Sequence, residues 1–66
     1  MEWINVNSTR VSAAAWKNNK TYLRFPDGAV YEYDNSSRAQ HDELLNSPSI
    51  GKALIAFQEA HEYRPV

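Results

Sequence analysis

Apolar residues alternate with polar ones through the first half of this chain and recur every three or four positions in the second, so a strand-forming part precedes a helix-forming part. Two turns divide the first half. Lys17-Asn18-Asn19-Lys20 lies between the apolar stretch Val11 to Trp16 and the run Thr21-Tyr22-Leu23-Arg24-Phe25. Asparagine tolerates positive φ, so the Asn pair predicts a tight two-residue hairpin. Pro26-Asp27-Gly28 has proline where a type I turn accepts it and glycine where the next residue is left-handed, which predicts a three-residue hairpin closing on Ala29 to Tyr33.

These loop lengths set the register, because a slip of one residue sends every side chain to the other face. They pair Phe25 with Ala29, Leu23 with Tyr31, Thr21 with Tyr33, Trp16 with Thr21 and Ala14 with Leu23. Ser12, Ala14, Trp16, Leu23, Phe25, Tyr31 and Tyr33 then share the expected core face. The opposite face is expected to carry Val11, Ala13, Ala15, Tyr22, Arg24, Val30 and Glu32, with Arg24 and Glu32 within diagonal reach of each other. It is unusually apolar for a wet face.

Past Asp34-Asn35 the period changes. Ser37-Arg38-Ala39-Gln40 reads as a capping box opening a short helix, with Ala39, Leu44 and Leu45 as its stripe up to Asn46. Ser47-Pro48 predicts a second helix start, and Ile50, Leu54, Phe57 and His61 recur along it to an end near Glu62. The expected fold is α+β: a three-stranded antiparallel β-meander followed by two α-helices packed on one sheet face, as a single domain over residues 1–66.

Composition narrows the function classes. A 66-residue domain buries only about 60% of its unfolded surface, so stability is modest and a homodimer stays open. Without cysteine there is no disulfide framework, thiol nucleophile or cysteine zinc site, and the cytoplasm is the default compartment. Met1-Glu2-Trp3-Ile4 has no basic region or long apolar run, so neither a signal peptide nor a membrane span is expected. Seven Lys+Arg against eight Asp+Glu leave a net charge of −1, which argues against non-specific duplex binding. The basic residues Arg10, Lys17, Lys20 and Arg24 nevertheless cluster in the first half, leaving a local basic edge open.

The motif F-x-x-G-x-x-Y-x-Y (Phe25, Gly28, Tyr31, Tyr33), the pair Leu44-Leu45, then Ser49-x-Gly51 and Tyr63 together resemble the KTSC domain family, from about Ser8 to Val66. That family occurs as stand-alone bacterial or phage proteins and at the C-terminus of some lysyl-tRNA synthetases, a context that implies RNA binding. Two segments depart from its pattern: Ser36-Ser37 replaces the usual Val-Pro after the Y-x-Y strand, and Ala53-Leu54 replaces the Phe-Asn after S-x-G.

Two surfaces follow as candidates. An RNA or nucleotide ligand would engage Arg24, Tyr31, Tyr33, Ser49, Gly51, Lys52, Tyr63 and Arg64, by stacking on rings and guanidinium and by anion binding at a helix N-terminus. The competing reading puts both tyrosines in the core with hydroxyls at the rim, and makes Ser49 and Gly51 a cap and a close packing point. A protein partner, such as a host protein bound by a phage-encoded adaptor or inhibitor, would engage Val11, Ala13, Ala15, Tyr22, Val30 and Glu32, unless Trp3-Ile4-Val6 folds across that face. Catalysis is not expected: His41-Asp42-Glu43 point in divergent directions on a helix, and both histidines are read as surface residues. No metal or cofactor is expected.

Overall fold

The computed structural model describes residues 1–66. Its elements in chain order are strands β1 (Ile4–Asn5), β2 (Ala13–Lys17), β3 (Lys20–Arg24) and β4 (Val30–Tyr33), helices α1 (Arg38–Leu45) and α2 (Ile50–Ala60), and strand β5 (Tyr63–Pro65). The fold is α+β, with an open antiparallel sheet of five strands in the order β1-β2-β3-β4-β5. The expected meander is its centre, and a short strand is added at each edge.

The turns form as their residues dictate. Asn18 and Asn19 take φ values of 52° and 63°, both left-handed, and join β2 to β3 with Lys17 opposite Lys20. Gly28, at φ 91°, ends the second turn; its N–H donates to Phe25 O, and Asp27 Oδ1 accepts from Ala29 N. The resulting pairs Trp16↔Thr21, Ala14↔Leu23, Thr21↔Tyr33 and Leu23↔Tyr31 are those the loop lengths demand.

Both helices cover the face that carries Ala14, Leu23 and Tyr33. With Leu44, Leu54 and Phe57 from the helices and with Val11, these residues form the buried core. Full burial of an aliphatic side chain such as Leu23 contributes roughly 2 kcal/mol. Ser37 caps α1 in a reciprocal capping box with Gln40. Helix α2 starts two residues later than Ser47-Pro48 suggests. Ser47 forms a local turn through Ser49 N, and Ser49 is the cap, its hydroxyl accepting from Lys52 N.

Several expectations are corrected here. Val11 belongs to the core and not to the opposite face, because a bend at Ser12 ends the β2 alternation and turns Val11 inward. Ala39 is exposed, while His41 and Leu44 form the buried stripe of α1. The N-terminal segment adds an edge strand, with Ile4 and Asn5 paired to Ala14 and Ala13, and of the three residues Trp3, Ile4 and Val6 it is Trp3 that meets Arg24 on the open face.

His61 ends α2 in extended conformation, packs its ring against Phe57 with centroids 4.2 Å apart at a tilt of 39°, and places Nδ1 3.0 Å from Asp34 O. This turns the chain back along β4, where Asp34 N donates to Glu62 O and Val66 N to Val30 O, with Tyr33 opposite Tyr63 and Tyr31 opposite Pro65.

Candidate functional site

The helices leave the other sheet face open. The strand register puts Trp3, Asn5, Ala13, Ala15, Lys17, Lys20, Tyr22, Arg24, Val30, Glu32 and Arg64 there, with Asp34 just beyond β4. Ala13 and Ala15 are buried although no helix covers them. Their short side chains lie between the longer ones of the flanking strands: Arg24 is opposite Ala13 and Tyr22 opposite Ala15.

Two assemblies occupy this face. At one end the Arg24 guanidinium lies over the Trp3 ring, 4.4 Å from its centroid, and has no carboxylate partner. The diagonal pair expected between Arg24 and Glu32 does not form. Glu32 is instead the hub of the other assembly: it accepts from Tyr22 Oη at 2.8 Å, pairs with Lys20 at 3.5 Å and binds Arg64, which also binds Asp34. The tyrosine hydrogen bond and then Arg64 and Lys20 hold the Glu32 carboxyl below its ordinary range. Arg64 does the same to Asp34. The Glu32 carboxylate, in return, raises the Tyr22 phenol, and Asp34 followed by Glu32 raises Arg64.

The eight residues proposed for a nucleotide ligand separate into three places. Arg24 and Arg64 are on the open face, and Arg64 is committed to ion pairs. Tyr31, Tyr33 and Tyr63 are on the helix side of the sheet, so the platform of Arg24 with Tyr31 and Tyr33 does not exist. Tyr33 is fully buried, its hydroxyl accepting from Gln58 Nε2 at 3.1 Å, and burial raises its pKa. Ser49, Gly51 and Lys52 open α2, where a Cβ at Gly51 would lie 3.2 Å from Arg10 Cγ. Gly51 is thus a close packing point for Arg10, which runs across the first turn of the helix.

Tyr31 and Tyr63 meet Phe25 and the edge of Tyr33 in a shallow hollow of about 310 Å³ beside α2, with Asp27, Ala29 and Gln58 completing its wall. The Phe25 and Tyr31 rings are nearly perpendicular, at 83° and 5.6 Å between centroids; Tyr63 is inclined 59° to Tyr31 at 6.1 Å.

Both histidines are buried, contrary to expectation. His41 Nδ1 lies 3.0 Å from Thr21 Oγ1, which is 2.7 Å from Ser36 Oγ, and Trp16 Nε1 donates to Ser36 O at 2.8 Å. Burial lowers the His41 pKa. Thr21 and Ser36 have no exposed surface, so no solute reaches these hydroxyls, and the cluster fastens α1 to the end of the sheet. The sequence carried one clue to it: Thr21 sits at a core-face position, where a hydroxyl must find a polar partner.

No three His, Asp or Glu side chains converge in a way that would hold a metal ion. No helix is long and apolar enough to cross a membrane. No protein-family model matches the chain, and no curated protein matches it significantly.

Proposed function

We propose that this chain is a non-catalytic, KTSC-like binding module of the cytoplasm, and that its ligand is single-stranded RNA or a nucleotide held on the open sheet face. The observation that carries this reading is the unpaired Arg24 guanidinium lying over Trp3 on a face that no helix covers. An indole and a guanidinium together offer a stacking surface to an unpaired base and a charge to its phosphate, whatever the base. Lys17 stands on the same face without an acidic partner and supplies a second phosphate contact.

The test is a titration of the ¹⁵N-labelled protein with a mixed-sequence RNA octamer. The Trp3 indole signal should shift while that of Trp16, tied to Ser36 O, stays in place. With two phosphates neutralised, log K should fall with log salt at a slope of about −1.4. Arg24→Ala should abolish the shift. An unmoved Trp3 signal at low salt would remove the reading.

Glu32 and Asp34 neutralise Lys20 and Arg64 on the same face, and this favours the second reading, a protein adaptor or inhibitor using Tyr22 and Val30. Its signature would be a stoichiometric protein partner whose binding is nearly independent of salt and is lost in Tyr22→Ala or Val30→Asp.

A further inference from the structure

The hollow beside α2 has a chemistry that a phosphate ligand does not suit. Four of its seven lining residues are aromatic, one is the carboxylate Asp27, and none is Lys, Arg or His. The negative faces of aromatic rings and a carboxylate attract a cation and repel an anion. Asp27 takes part in no ion pair; its one protein partner is the N–H of Ala29, which engages Oδ1 and leaves Oδ2 without a protein partner.

The ring geometry adds a second argument. Phe25 and Tyr31 stand at 83° to each other, and Tyr63 is inclined 59° to Tyr31, so the three rings bound the hollow in different planes. Centroid separations of 5.6 and 6.1 Å let one small group approach more than one ring within the distance at which a cation is attracted. The rings have supporting contacts: Phe25 and Tyr31 are half-buried, and Tyr63, itself 46% exposed, is stacked at 29° on the fully buried Tyr33, which Gln58 anchors. These contacts reduce the side-chain freedom lost on binding.

We infer that this hollow is a binding site for an alkylated ammonium group, held by the rings of Phe25, Tyr31 and Tyr63 with Asp27 at its rim. A methylated ammonium matches the site better than a bare one, because its spread charge is weakly hydrated and its methyl groups contact the rings. The site is on the opposite side of the sheet from Trp3 and Arg24, so it stands or falls independently of the function proposed above.

Three probes test it by amide chemical shifts: choline, its uncharged isostere 3,3-dimethylbutan-1-ol, and a short peptide carrying trimethyl-lysine. Choline should shift Ala29, Gln58 and Tyr63 while leaving Trp3 unmoved, and the isostere should bind about fivefold or more weakly. The peptide binding more tightly than choline would identify the source as a protein side chain; equal binding would identify a free small cation. Tyr63→Leu, which keeps an apolar side chain on β5, should lose most of the affinity. Asp27→Asn keeps an oxygen for the Ala29 N–H and should weaken the charged probes alone, by about twofold. Equal binding of the isostere, no shift with any probe, or wild-type affinity in both variants would overturn the inference.

Discussion

The two faces of the sheet are held by different forces, although the same strands supply both. The helix side is fastened by volume: Leu23, Tyr33 and Val11 are excluded from water among Leu44, Leu54 and Phe57. The open side is fastened by charge and hydrogen bonds, with Glu32 joining β3, β4 and β5 through Tyr22, Lys20 and Arg64. Deleting volume leaves a cavity that the core cannot close, whereas deleting one exposed charge lets water take its place. The covered side should therefore determine whether the chain folds, and the open side should tolerate change and be free to bind.

Leu23→Ala is the strongest challenge to that division. It should cost about 2–5 kcal/mol in urea unfolding, enough to unfold much of a domain of this size. A loss under 1 kcal/mol would show that the covered side is not the main anchor. Thr21→Val comes next, at about 1–3 kcal/mol, because His41 Nδ1 would lose its only hydrogen-bond partner in a buried site.

Acid separates the faces without mutation. His41 has a lowered pKa in the folded chain, so the unfolded chain takes up that proton first and stability should fall as pH drops below about 6.5. Glu32 and Asp34 also have lowered pKa values; their contribution is present at neutral pH and should be lost only as pH falls below about 4. His41→Gln should remove the upper decline and leave the lower one, as read by melts or urea unfolding from about pH 2 to 8. On the open face, Glu32→Gln should bring the Tyr22 phenol back toward the ordinary tyrosine value in a spectrophotometric titration. The smallest effect belongs to Arg38→Ala, which breaks an exposed pair with Asp42 and should change stability by under about 0.5 kcal/mol.

What could be read from the sequence follows the same division. The centre of the sheet was legible because Asn18-Asn19 and Pro26-Asp27-Gly28 dictate turn geometry locally, and turn geometry dictates which side chains share a face. The edge strands were not, since a two-residue strand at Ile4–Asn5 and a three-residue one at Tyr63–Pro65 are too short to show alternation. Val11 escaped because a bend at its neighbour breaks parity, an event with no residue-level signature here. His41 carries no local sign of burial because its partner Thr21 lies 20 residues away, and only tertiary packing shows that a hydroxyl waits for it. Of the proposed ligand residues, parity alone separated Arg24 from the tyrosines, but the partners that decide their roles, Trp3 for Arg24 and Asp34 for Arg64, come from outside the meander.

Pro65 has an effect beyond this chain's own packing. Because Glu62 and Val66 direct their main-chain groups at β4, the intervening position 65 directs its own outward, along the free border of the sheet. Any other residue would offer an N–H there; proline has none to give. A foreign strand sliding against that border would meet a gap in the ladder, so polymerisation by strand addition is discouraged on this side. A misfolding route that stacks these molecules border to border would begin more readily at Ile4–Asn5, and that is where a substitution meant to suppress aggregation should be placed.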